Sequence, residues 1–260
     1  MNNTTNERRF LPTLPRHEPE NYDHTRVKCF KECPRKYFYR MVLGRTAPEG
    51  KWASVFRWGT AIHKYLEVLY ETGDAGVAAS KALPIWIAPT NPSFEYQTKE
   101  RLLLTFAKLY KMFQEEKKNG NILVTDIEQP FNVLFPNGRP VGGRWDQVIK
   151  WNGRLWIRDW KTTSKQANFF KLGLEPNDQA IRYIYALSCL HFGQDEEGMP
   201  KRVVDGVLFT SIYNTKTVGP EIAAHPSART IMQVRQWVKE EMFVHERMDA
   251  CREADVWPMH

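Results

Sequence analysis

The sequence predicts a mixed α/β fold, a central mixed β-sheet flanked by helices, with a helical N-terminal half. Three observations carry that expectation. Apolar residues recur at helical spacing up to about Lys118. At Gly120 the period changes to strand-like runs separated by Pro-Asn-Gly and Trp-Asn-Gly turns. A helix, a strand and a long closing helix follow, an order that suits a sheet covered by helices. With 260 residues, 42% of them hydrophobic and 26% charged, the chain can bury a proper core and is not disordered.

Residues 1–20 are polar, carry Pro12, Pro15 and Pro19, and read as a flexible arm. Residues 21–119 form the helical region and 120–260 the sheet-bearing core with its C-terminal helix. From Asn21 to about Gly44, Asp23 or Thr25 supplies an N-cap and Pro34 splits the stretch in two. After a loop, Arg45–Val55, Trp58-Gly59-Thr60 leads into a helix marked by Ile62, Leu66, Leu69 and Tyr70, which Gly73 stops. A short helical piece around Ala75–Leu83 and a Pro-rich stretch precede a long helix, about Phe94–Lys118, whose apolar face includes Leu102, Phe106, Leu109 and Phe113. Strands are expected at Ile122–Phe135, Pro140–Lys150 and Arg154–Thr162, a helix at about Pro176–Phe192, a strand at Val203–Tyr213 and the last helix from Ala228 to about Cys251.

Charge narrows the function. The chain holds 37 Lys+Arg against 30 Asp+Glu, a net charge of +7, which favours a polyanionic partner such as nucleic acid. No apolar run is long enough for a membrane span, and MNNTTNERRFLP lacks a secretory h-region, so a cytoplasmic location is expected. Four cysteines do not make a disulfide scaffold.

The chemistry concentrates in residues 142–163. On the last strand of the meander Leu155, Ile157, Asp159 and Lys161 share one face. The preceding strand brings Asp146 to the same face as Gly142 and Arg144, and the Trp-Asn-Gly turn makes the two strands neighbours. Two converging carboxylates repel, and a hard divalent cation resolves the repulsion. A lysine beside that cation orients water or stabilises charge on a phosphoryl group. Asp-x-Lys alone is as well explained by a salt bridge at a strand end. Its neighbours change the balance: Gly142-Gly143 admits close backbone approach, and Gln179 and Tyr183 form an i,i+4 pair on the next helix. His63, taken by itself, reads as a core histidine. Arg35, Lys36 and Arg40 interleave with aromatic residues, as do Phe169-Phe170-Lys171, in a pattern that suits a nucleic-acid path. GRTAPEGKW, residues 44–52, is one residue too long between its glycines for a phosphate loop and ends on Trp52 where Ser or Thr belongs.

Taken together, Asp146, Asp159-Trp160-Lys161 and Gln179-x-x-x-Tyr183 resemble the PD-(D/E)xK nuclease superfamily, and its RecB-like branch in particular. CPRKYFYR, residues 33–40, is similar to that branch's Cys-Pro-Arg segment, and Gly59-Thr60-Ala61-Ile62-His63 to its Gly-x-x-x-His motif. The resemblance covers about residues 22–213 and implies a restriction-endonuclease-like sheet. It implies that His63, Asp146, Asp159 and the Trp160 carbonyl bind one or two Mg2+ or Mn2+ ions and that Lys161 is catalytic. Gln179 and Tyr183 would position substrate, and Glu128 stands where some relatives place another acidic residue. Glu67, four residues after His63 on one helix face, is placed to orient the imidazole. Some relatives hold an iron–sulfur cluster with one N-terminal and three C-terminal cysteines. Here Cys33 matches the first position but only Cys251 lies near the end, which argues against a cluster, as does the spacing of Cys29 and Cys33 against a zinc site. The implied activity is exonucleolytic hydrolysis at the ends of single- or double-stranded DNA, in recombination, repair or phage DNA metabolism. The alternatives are a non-cutting nucleic-acid-binding accessory on the same fold and an RNA-processing nuclease. Protein partners in recombination or replication stay open, and no membrane partner is expected.

Overall fold

The computed structural model describes residues 22–45, 53–164, 177–217 and 219–259. The expected N-terminal arm, most of the loop-like stretch before Ala53, and Phe169-Phe170-Lys171 lie outside the described residues. Helix α1 (His24–Glu32) starts where the Asp23 carboxylate accepts the Arg26 N–H at 2.9 Å. Pro34 then opens α2 (Pro34–Tyr37), where a missing N–H costs nothing, and a π-helical turn, Phe38–Val42, follows. Helix α3 (Ala53–Thr72) begins upstream of the expected Trp58 start and stops before Gly73, whose φ of 73° suits glycine. After α4 (Ala75–Ala82), Thr98 caps α5 (Lys99–Asn119), so the expected start at Phe94 falls instead in a separate 3-10 turn, Pro92–Phe94. These helices enclose a core in which Tyr65 and Phe106 stack at 4.0 Å.

The strands are β1 (Ile122–Ile127), β2 (Pro130–Leu134), β3 (Pro140–Arg144), β4 (Gln147–Trp151), β5 (Arg154–Thr163), β6 (Gly206–Tyr213) and β7 (Glu221–Ser227). The main sheet runs β1-β4-β5-β6-β7, with β5 and β6 parallel and the other pairs antiparallel. The mixed α/β architecture expected from sequence is therefore present. Two expected strands, Ile122–Phe135 and Pro140–Lys150, each divide in two, because β2 and β3 leave the main sheet as their own hairpin. The division is one shared corner. Glu128 takes a φ of 47°, and its N–H donates to the Asp146 carbonyl at 2.9 Å. Asp146 consequently sits at that corner rather than in strand alternation with Gly142 and Arg144. Strand β7 lies outside every element expected from sequence. Its Pro226 reads as a loop signal, yet among the described residues β7 pairs only with β6, and an edge strand tolerates proline.

Helices α6 (Asp178–Phe192) and α7 (Ile231–Ala254) cover the face of the sheet that carries Ile157, Val207 and Phe209, whereas Trp160 and Ile212 on the opposite face belong to the core of α3–α5. The β2–β3 hairpin packs under α6 through Phe131, Val133 and Val141. Gly143 is required there. A Cβ on it would lie 2.6 Å from the Phe131 ring, so this glycine makes room for an aromatic side chain. Two buried ion networks tie the layers. Arg158 on β5 grips Glu116 on α5 at 2.7 and 3.1 Å and the Tyr70 hydroxyl at 3.0 Å. Arg182 on α6 pairs with Glu241 on α7 and donates to the Tyr22 carbonyl at 2.6 Å.

Candidate active site

The corner between β3 and β4 opens the edge of β5. Strand β4 begins at Gln147, paired with Arg158, so Asp159 and the residues after it have no β4 neighbour. Helix α3 closes over that gap. A Cβ on Gly59 would lie 3.1 Å from Thr162 Oγ1, so glycine lets the helix approach β5 closely, and His63 follows one turn later. This is a physical reason for the Gly-x-x-x-His spacing.

His63 Nδ1 lies 3.6 Å from Asp146 Oδ2, and the same oxygen accepts the Trp160 N–H at 2.7 Å. The N–H and C=O of one strand residue point the same way, so the Trp160 carbonyl also faces the gap. The Trp160 ring is buried among the α3–α5 helices. One ligand atom each from His63, Glu128 and Asp146 fall within 4.8 Å of one another, a separation a single ion can bridge. Glu128 reaches the cluster through its left-handed backbone, an uncommon conformation for a residue with a side chain. Burial, reinforced by the Asp146 charge, raises its pKa. Burial pulls His63 down, but its hydrogen bond to Asp146 and the charges of Asp146 and Asp159 outweigh that and leave it above its ordinary value.

Asp159 is almost fully enclosed, at 1% exposure. Burial pushes its pKa up to about 6; Lys161 opposes that rise and Asp146 adds to it. Lys161 Nζ sits 2.7 Å from Asp159 Oδ2, and Gln179 Nε2 donates to Oδ1 at 3.2 Å. Gln179 also donates to the Tyr183 hydroxyl at 2.9 Å, and that hydroxyl donates to the Arg144 carbonyl at 2.9 Å. Asn177 caps α6 by accepting the Gln179 and Ala180 N–H groups, which fixes Gln179 in the first turn. Asp146, Asp159, Lys161, Gln179, Tyr183, His63 and Glu128 thus come together.

Other candidates are placed differently. Glu67 lines the same cleft, of about 440 Å³, with its carboxylate held 2.6 Å from Lys64 Nζ. Arg35, Lys36 and Arg40 are exposed and do not line the cleft. Arg35 donates to the Trp257 carbonyl at 3.0 Å and Lys36 pairs with Glu32 at 2.6 Å, while Tyr37, which follows them, is buried. Cys29 and Cys251 belong to the small core that also holds Trp257, and Cys189 belongs to the separate core under α6. Lys64 and Arg144, two cations that line the cleft, are not among the site residues expected from sequence. Their positions next to His63 and two before Asp146 were the available signal.

A sheet whose central strand offers Asp-x-Lys at an opened edge, opposed by a second carboxylate and a helical histidine, defines a nuclease-type site. Comparison agrees: the model of the PD-(D/E)XK nuclease superfamily matches residues 23–260, and the chain belongs to that superfamily. A solved structure described as a putative exonuclease from Eubacterium rectale aligns with a TM-score of 0.52 at 11% identity, over 93% of this chain and 84% of that one, which shows the fold. A second solved structure, SSO0001, aligns loosely, with a TM-score of 0.28 at 13% identity over 72% of this chain and 74% of its own. No curated protein sequence matches the chain. Among the described residues no helix is long and apolar enough to cross a membrane.

Proposed function

We propose that the chain is a metal-dependent exonuclease that hydrolyses phosphodiester bonds at DNA ends. The observation that carries this reading is the convergence of His63, Glu128 and Asp146 within 4.8 Å beside the Asp159–Lys161 pair. Hard carboxylate oxygens with one imidazole nitrogen suit Mg2+ or Mn2+, and burial with the Asp146 charge raises the pKa of Glu128, a penalty that a bound cation would relieve. His63, Asp146 and Glu128 would hold the ion, with Asp159 and the Trp160 carbonyl closing its other side. Such an ion supplies Lewis acidity toward water and phosphoryl oxygen. Lys161 holds a fixed positive charge beside the attacked phosphate and orients the water that attacks it. Gln179 keeps Asp159 turned toward Lys161, and Tyr183 ties Gln179 to the β3 backbone.

The test is cleavage of end-labelled linear single- and double-stranded DNA with Mg2+, Mn2+ or EDTA, beside Asp159→Ala. Metal-dependent, end-dependent degradation that vanishes in the variant supports the reading. DNA left intact under every metal condition, with a gel shift retained, overturns it and leaves a nucleic-acid-binding protein on a nuclease fold.

A further inference from the structure

Helix α3 is amphipathic with one exception. Its buried positions, among them Trp58, Ile62, Tyr65, Leu66 and Leu69, form a continuous apolar face. Phe56 lies off that face and is 72% exposed, the only exposed apolar residue of the helix. Phe56, Thr60, His63 and Glu67 stand at i, i+4, i+7 and i+11, so they form one stripe. The last three line the cleft beside Asp146 and Glu128. The stripe is rigid, since α3 is continuous from Ala53 to Thr72 and the Thr60 hydroxyl donates to the Phe56 carbonyl at 2.9 Å.

We propose that Phe56 is a stacking platform for an unpaired nucleobase, and that the cleft therefore takes a single-stranded segment along α3. This inference rests on the nuclease reading above and specifies its substrate. Along the helix axis Phe56 is about 10 Å from His63, which spans about three nucleotides at duplex-like rise and fewer in an extended strand. A phosphate at the cluster thus leaves a base within about three nucleotides of it over the ring. Lys64 and Arg144 line the same cleft beside Glu67 and Glu128, and the chain's net charge of +7 supplies the longer-range attraction for a polyanionic strand. A base inside a duplex has both faces covered by its neighbours, so a lone exposed ring selects an unpaired base. Phe56 is a positioning residue in this account, since it touches a base and not the reacting phosphate.

The experiment uses the full chain in EDTA with oligonucleotides that carry 2-aminopurine at successive positions from one end, with thermal melts to check folding. Wild type is expected to quench the fluorophore at one or two adjacent positions of a single strand. Phe56→Ala should abolish that quench and raise Kd, and KM under metal, by roughly 5- to 100-fold with kcat changed less than about twofold, and Phe56→Tyr should restore all three. An abasic site at the quenched position should cost wild type the same factor and cost Phe56→Ala almost nothing. Unchanged affinity in Phe56→Ala, or an equal loss on blunt duplex and single strand, overturns the proposal. A protein that quenches through Phe56 but never cuts would sink the nuclease reading and keep the platform. One that cuts with a silent Phe56→Ala would do the reverse, and one that neither binds nor cuts would sink both.

Discussion

The two sides of the cleft are built to opposite rules. On the α6 side, Asp159 has an ammonium on one oxygen and an amide on the other, so its charge is answered from within. On the α3 side, Glu128 and Asp146 crowd a histidine, and the fixed cation on Glu128 is Arg144 at 3.6 Å, whose side chain is 63% exposed and screened by water. One side is neutralised before any ligand arrives. The other is left short of positive charge, and that difference is why the proposed cation is assigned to the α3 side.

Breaking the charge-deficient side should have the largest effect. Asp146→Ala should lower cleavage by more than about a thousandfold and abolish Mn2+ binding by calorimetry, because it removes a ligand and the partner of His63. The self-neutralised side should respond differently. Lys161→Ala should lower kcat by about a hundredfold or more while Mn2+ affinity changes little, and a parallel loss of affinity would erase the distinction. Its pH dependence sharpens the test. Burial already pushes Asp159 up to about 6 and Lys161 pulls it back. Removing the lysine must raise that carboxyl further, so the acid limb of the pH–rate profile should move to higher pH.

Acid also acts outside the cleft. His245 is fully buried and stacked on Tyr22 at 4.2 Å. Burial first, and then the Arg182, Arg139 and Lys31 charges, pull its pKa down to about 3. The unfolded chain takes up a proton below the ordinary histidine value while the folded one does not, so stability falls as pH drops from there toward the folded value. Urea midpoints should report a loss on the order of 2 kcal/mol between pH 6.5 and 5. His245→Phe should flatten that slope without removing it, since His24, lowered to about 4 by burial and then by Arg182, acts in the same direction. A slope identical in the variant would refute the assignment. The smallest effect is expected where the two sides meet. Gly59→Ala places a methyl 3.1 Å from Thr162 Oγ1 and should lift α3 by a few tenths of an ångström, costing roughly severalfold in rate with the fold intact.

Much of this was legible in the sequence because local chemistry determined it. Asp23 and Thr98 cap as short polar residues do, and the turn at Asn152 and Gly153 takes the positive φ values that joining β4 to β5 requires. Lys161 and Asp159 share a face because β5 alternates without interruption. What escaped depended on distant partners. Periodicity cannot show that two strands leave a sheet together at Glu128 and Asp146, although Pro130, the first residue of β2, is a local sign that the first run breaks there. The segment containing Pro226 becomes a strand only because β6 offers it an edge. Phe56 gave no signal because the expected loop ended at Val55 and the expected helix was marked from Trp58, which left the aromatic ring in neither element, where exposure means little.

Arg158 neighbours Asp159 in β5, and its guanidinium is enclosed, with Glu116 and Tyr70 as partners from the helical half and the Trp160 ring 4.9 Å away. A lineage that exchanged either half of the gene alone would inherit a buried charge without its mate, a penalty of about 3–5 kcal/mol and much of a typical domain's stability. Joining two halves at the junction near Gly120 therefore carries that cost unless the incoming helices bring their own partners for Arg158, which couples the histidine-bearing helices to the strand that bears the aspartate and lysine.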